Sequence, residues 1–177
     1  MDARAPWGSL TDAASGGTAV HLARVYPAPR EEVFRAWTEP ELVRRWFEPP
    51  GVTTESAELD VRPGGAYRIA MRRPPEAPDT YYQVGTYLEV AAPERLVFTF
   101  GWEGLPALEV LDGLNELESR VTVLFRDLGE STALSLTHER LRTENLRAFH
   151  RWGWGKVLDE LDGILPGATR TTERRLR

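Results

Sequence analysis

Between Val52 and Glu139 the sequence carries six strand patterns in a row with no helical pattern among them, and one long amphipathic helix pattern then closes the series. The strands read as Val52 to Val61, Ala66 to Met71, Tyr81 to Val90, Leu96 to Trp102, Arg120 to Phe125 and Ala133 to Glu139. Turn residues separate them, among them Arg62-Pro63-Gly64-Gly65, Ala92-Pro93-Glu94 and Asp127-Leu128-Gly129-Glu130. Consecutive strands joined by short connections must run antiparallel. Their sheet needs an apolar partner for one face, and the helix supplies it. Leu146, Phe149, Gly153, Val157, Leu161 and Ile164 step by three or four along that helix. His150 and Trp154 fall on the same face, while Arg151, Asp159 and Asp162 lie opposite. The fold class is α+β.

Upstream, Val20-Leu22-Arg24-Tyr26 alternates with His21-Ala23-Val25 as a first strand. Pro29-Arg30-Glu31-Glu32 opens a short helix, with Pro and acids in the first turn, where free N–H groups favour them. Thr38-Glu39-Pro40-Glu41 has the spacing of a capping box for a second short helix carrying Leu42, Val43, Trp46 and Phe47. Residues 1–18 lack periodicity and read as a flexible leader, 19–166 as one domain, and 167–177 as a polar tail. The irregular acidic stretch from Glu103 to Glu118 is long enough to form a lid.

Composition removes several chemistries. There is no cysteine, so disulfides, thiolate nucleophiles and Cys-based metal sites are excluded. A net charge of -5 argues against nucleic acid as a partner. No apolar run reaches membrane-spanning length and no secretory signal is visible, so no membrane partner and a cytoplasmic location are expected. The histidines are His21, His138 and His150, and none sits in a hydrolase, zincin or phosphate-loop motif. No catalytic residue, metal or cofactor is assigned.

What remains is aromatic. Trp37, Trp46, Trp102 and Trp154, with Tyr67, Phe98 and Phe100, spread over both short helices, the sheet and the long helix. They fit a filled core, or the border of a cavity for an apolar molecule. His138 alternates with Leu134 and Leu136, so it points inward either as a structural histidine bonded to a neighbour or as a ligand contact. Gly153, inside a helix, implies a close approach or room for something other than protein. Trp152 falls on the polar side of the long helix, where a homodimer contact is one use for it.

The run from Ala28 to Pro40, followed by Arg45-Trp46-Phe47, resembles the opening of the START-like SRPBCC superfamily. More narrowly, it is similar to the branch of homologues of the activator of heat-shock-protein-90 ATPase. Asp60 to Gly65, Val90 to Phe100, Thr132 to His138, and Gly153-Trp154 with Leu158 to Leu161 continue the resemblance in order. It implies a helix-grip fold, in which the antiparallel sheet curves around the C-terminal helix and a cavity for an apolar small molecule lies between them. The activating Asn- and Trp-rich segment of the eukaryotic cochaperone has no counterpart before Ala19, so a chaperone partner or a stress-response role is not the leading expectation.

The leading expectation is binding of a hydrophobic, aromatic or polycyclic small molecule. Its site is expected at Trp37, Trp46, Tyr67, Phe98, Phe100, His138, His150, Gly153 and Trp154. The alternatives are a cofactor-free cyclase-type enzyme using His138 or Tyr67 for proton transfer, and a chaperone-associated interaction protein.

Overall fold

The computed structural model describes residues 18–73, 77–105 and 119–167. The elements run β1 (Val20–Tyr26), α1 (Arg30–Thr38), α2 (Pro40–Trp46), β2 (Thr53–Leu59), β3 (Ala66–Arg73), β4 (Ala77–Ala91), β5 (Arg95–Glu103), β6 (Ser119–Asp127), β7 (Thr132–Glu139) and α3 (Glu144–Ile164). The strands form one seven-stranded antiparallel sheet in the order β1-β7-β6-β5-β4-β3-β2. This is the expected helix-grip architecture. The stretch expected as a lid falls largely on residues 106–118, outside the described residues.

Alternation builds the inner face. Tyr67, Ile69 and Met71 of β3, Tyr81, Gln83 and Tyr87 of β4, and Phe98, Phe100 and Trp102 of β5 are all buried. Val121, Val123 and Phe125 of β6 continue it, with Leu134, Leu136 and His138 of β7. Helix α3 covers this face. The Thr143 hydroxyl caps its start by accepting from the Leu146 N–H. Near its end, the Tyr26 hydroxyl of β1 donates to the Leu158 carbonyl at 2.7 Å.

The buried stripe of α3 is Leu146, His150, Trp154, Val157, Leu158 and Leu161. It is therefore rotated from the face expected from spacing alone. Phe149 and Ile164 pack only at its margin, Leu158 is fully buried, and Arg151 and Trp152 are half-buried. The reason is the i+4 ladder 146–150–154–158: two large ring residues in that ladder fix which side turns to the sheet. A second departure concerns the capping box. Helix α1 runs through Thr38, whose hydroxyl donates back to the Phe34 carbonyl, so Thr38 ends one helix and does not stand at the cap position of the next. Glu39 occupies the cap position without a side-chain cap bond, and its carboxylate turns to Arg35 instead.

Helices α1 and α2 close one end of the inner face. The Trp46 indole donates to the Ala36 carbonyl at 2.7 Å, tying α2 to α1. The Thr54 hydroxyl donates to the Phe47 carbonyl, tying the end of α2 to the edge strand β2. No helix among the described residues is long and apolar enough to cross a membrane.

Candidate functional site

Two groups of buried rings share the inner face, and Trp154 stands where they meet. The first surrounds a cavity under α1 and α2. Its walls are Trp37, Val43, Trp46, Phe47, Leu59, Tyr67, Ile69, Gln83, Tyr87, Leu96, Phe98 and Trp154. Trp37 stacks on Trp154 with ring centres 6.0 Å apart and 22° between planes, and packs against Trp46 at 4.8 Å. Tyr67 meets Phe98 edge-on at 5.6 Å and Tyr87 at 5.5 Å. No Asp, Glu, Lys, Arg or His belongs to the lining. The cavity measures about 30 Å³, enough for water and too little for a ring. Ligand pockets run to roughly 300–1,000 Å³. Among the described residues this cavity is thus smaller than the ligand-sized void expected from the sequence, because the interlocked rings occupy the space.

Tyr67 enters this wall through a break in the sheet. Strands β4 and β5 pair at Val84 with Gly101 and at Tyr87 with Phe98. Between those pairs the Thr86 N–H donates to the Thr99 hydroxyl rather than to a carbonyl. The Thr99 carbonyl is left to accept from the Tyr67 hydroxyl at 2.7 Å, and the Gln83 amide donates to that same hydroxyl at 2.5 Å. The ring crosses Gly85, where a Cβ would stand 2.0 Å from the Thr99 carbonyl oxygen and 2.6 Å from the Tyr67 ring. Only glycine fits that crossing. Burial pushes the Tyr67 phenol pKa well above its ordinary value, against the opposing effect of the Gln83 hydrogen bond. With its proton engaged by a backbone carbonyl, this phenol is placed to hold the wall and not to exchange a proton with a guest.

The second group holds His138 on β7, His150 and Trp154 on α3, Ser119 on β6 and Phe100 on β5. The Trp154 indole donates to His138 Nδ1 at 3.1 Å. A neutral imidazole that accepts at Nδ1 carries its proton on Nε2. His138 Nε2 therefore donates to Ser119 Oγ at 3.1 Å, and the Ser119 hydroxyl donates on to the Phe100 carbonyl at 2.6 Å. The order resembles a serine–histidine pair only superficially. A histidine acting as base toward serine must offer a bare nitrogen to the hydroxyl; here that nitrogen holds the proton. The chain of bonds instead ties α3 across three strands. His150 packs beside His138 with ring centres 4.4 Å apart. Burial pulls the His150 pKa down to about 3. Burial first, and the neighbouring His150 second, hold His138 well below the ordinary histidine value.

Of the residues expected at the site, Trp37, Trp46, Tyr67, Phe98 and Trp154 line the cavity. Phe100, His138 and His150 lie outside the lining, on the other side of Trp154. Gly153 also lies outside it, and a Cβ added there would meet nothing within 4 Å among the described residues. That open space rules out close approach among the described residues as the reason for a glycine there. The lining residues absent from the site expected from the sequence are Val43, Phe47, Leu59, Ile69, Gln83, Tyr87 and Leu96. Gln83 and Tyr87 were within reach of it, since both alternate with Tyr81 and Gly85 on the inward side of β4.

The polar atoms around the cavity are unequally satisfied. The indoles of Trp46 and Trp154 donate to Ala36 and His138. The indole nitrogen of Trp37 is buried, in a residue only 6% exposed, and has no hydrogen-bond partner among the described residues. Buried N–H groups without a partner are rare and costly. Among the described residues no cluster of His, Asp and Glu is arranged to hold a metal ion.

Comparison with known proteins places this geometry. The model of the family described as activator of Hsp90 ATPase homolog 1-like protein matches residues 27–166. No curated protein matches. Among solved structures, protein CV1439 from Chromobacterium violaceum is similar at 26% identity and a TM-score of 0.71, over 84% of this chain and 96% of that one. CalU16 from Micromonospora echinospora is similar at 25% identity and a TM-score of 0.58, over 89% and 82% of the two chains. An AHSA1-like protein from Aeromonas hydrophila shares the fold at 21% identity and a TM-score of 0.62, over 88% and 94%. Fold, element order and matched residues agree: this chain belongs to the activator of Hsp90 ATPase homolog 1-like family, whose fold is that of a ligand-binding or activator-type domain.

Proposed function

We propose that this protein binds a hydrophobic, ring-shaped small molecule between the inner face of the sheet, the α1–α2 pair and α3. The observation that carries the reading is the cavity wall: a nearly unbroken set of aromatic and aliphatic side chains with no ionised group among them. Such a wall takes up flat apolar molecules and rejects charged ones. At about 30 Å³ the resting cavity is closed to a ring, so uptake proceeds by displacement of a wall. The wall that gives way is Leu59, half-buried on the edge strand β2. The opposite wall is held by the sheet itself. Binding of this kind has a reduced apparent affinity, because part of the binding energy goes into opening.

The test is titration with indene or naphthalene, followed by the fluorescence of Trp37, Trp46 and Trp154. Saturable quenching is expected, weakened when Leu59→Trp narrows the entrance. Absence of saturable binding up to the solubility of both hydrocarbons would refute the reading. Proton transfer by His138 or Tyr67 has no support in their hydrogen bonding, since both His138 nitrogens and the Tyr67 proton are engaged within the fold.

A further inference from the structure

Three tryptophans wall the cavity, and their N–H groups differ. Trp46 donates to the Ala36 carbonyl and Trp154 to His138. The Trp37 indole nitrogen, sealed from solvent, donates to nothing among the described residues. The Tyr67 hydroxyl donates to the Thr99 carbonyl and already accepts from Gln83. The lining holds no cation that would compensate a buried anion. Trp37 Nε1 is therefore a buried donor left without a partner among the described residues, in an enclosure without ionised groups.

We infer that the ligand is an uncharged planar ring compound carrying a hydrogen-bond acceptor, such as a ketone or quinone oxygen, and that Trp37 Nε1 donates to that acceptor and sets specificity. This rests on the binding reading above and narrows it. A pure hydrocarbon gains the ring contacts and leaves the indole donor unpartnered. A carboxylate gains the same hydrogen bond and gives up the hydration of a full charge, which a single N–H does not replace. A neutral carbonyl gains both the contacts and the bond. Trp37 is suited to this role because its ring stacks on Trp154, which His138 holds in turn. The donor is thus presented from a fixed plane.

The experiment compares two bicycles of nearly the same shape, indene and 1-indanone, with indane-1-carboxylate as the anion. Affinities are measured for wild type and for Trp37→Phe, which keeps an aromatic ring and removes the N–H. In the variant the ratio of 1-indanone to indene affinity is expected to fall about threefold to tenfold, the worth of one net neutral hydrogen bond, while indene still binds. The carboxylate is expected to bind wild type more weakly than the ketone. An unchanged ratio, or preference for the carboxylate, overturns the assignment of Trp37 and leaves the hydrophobic cavity standing. Failure of indene and 1-indanone alike to bind wild type overturns the binding reading and this inference with it. A second readout needs no variant. In tryptophan-labelled wild type, the Trp37 indole N–H resonance moves downfield with 1-indanone and not with indene. Equal response to both compounds counts against the inference.

Discussion

The two ring clusters on either side of Trp154 are built from similar residues and do opposite things with their polar atoms. On the His138 side the polar atoms bond in a chain: indole to imidazole, imidazole to hydroxyl, hydroxyl to backbone carbonyl. That arrangement is rigid and closed. On the Trp37 side the rings meet at comparable distances, yet a small void persists and one indole N–H is without a partner. A satisfied network specifies a unique packing, whereas an unsatisfied donor beside a void marks where something else is accommodated. In the proposed reading, one part of the inner face is a brace and the other part holds the ligand.

The largest test of the contrast is acid. Both imidazoles of the brace are held below the ordinary value of 6.5, His150 at about 3, by burial. Between about 3 and 6.5 the unfolded chain binds protons that the folded chain does not, so stability rises with pH across that window. The contribution is complete above about pH 6.5 and is lost progressively below it. Each histidine contributes a slope of up to about 1.4 kcal/mol per pH unit. A charged His138 would also turn an N–H toward the Trp154 N–H. Urea unfolding between about pH 7 and pH 5 should show the loss, and His150→Phe should reduce its slope by roughly one histidine's share. A slope unaffected by that substitution would mean that His150 already takes up its proton inside the fold.

A smaller effect separates the two clusters by one chemical change made in each. Trp154→Phe removes the donor to His138 Nδ1 and leaves a buried acceptor without its partner. Trp37→Phe removes an N–H that had no partner. Both lose ring area of the same kind, so the difference isolates the hydrogen bond. Trp154→Phe should cost about 1–3 kcal/mol more than Trp37→Phe, the usual penalty for stranding a buried polar atom. Equal costs in denaturant unfolding would show that the His138 chain adds nothing to stability and that the two sides do not differ as described.

How much of this was legible in the sequence depends on whether a feature is local. The strands, the two short helices and α3 follow from alternation and from three-and-four spacing, which operate within one element. So does the inward aim of His138, and of Gln83 had β4 been read through. The rotation of the α3 stripe was not legible, because it depends on how large Trp154 and His150 are accommodated against the sheet. The failed capping box at Thr38 turns on where α1 ends, and one added turn reassigns the hydroxyl. The volume of the cavity is the least local quantity of all. Seven aromatic side chains from different elements can enclose a void or fill it, and the difference is a matter of ring tilt that no spacing rule contains. The tautomer of His138 likewise depends on a tryptophan that meets it only in the folded molecule.

The smallest expected effect comes from comparing two glycines. Gly85 lies under the Tyr67 ring, and a Cβ there would sit 2.0 Å from a backbone oxygen, so the residue is required by close approach. Gly153 sits within α3, and a Cβ there would meet nothing within 4 Å among the described residues. It carries the entropic cost of glycine in a helix without a packing reason in return. Gly153→Ala should therefore stabilise the protein by about 0.5–1 kcal/mol, by reducing the freedom of the unfolded chain at a position whose folded conformation alanine shares. Because Gly153 lies outside the cavity lining, the same substitution should leave indene and 1-indanone affinity unchanged. Thermal unfolding and ligand titration of the one variant check both halves. A gain in stability with altered binding would extend the site across Trp154 toward the brace, and the boundary between the two clusters would have to be redrawn.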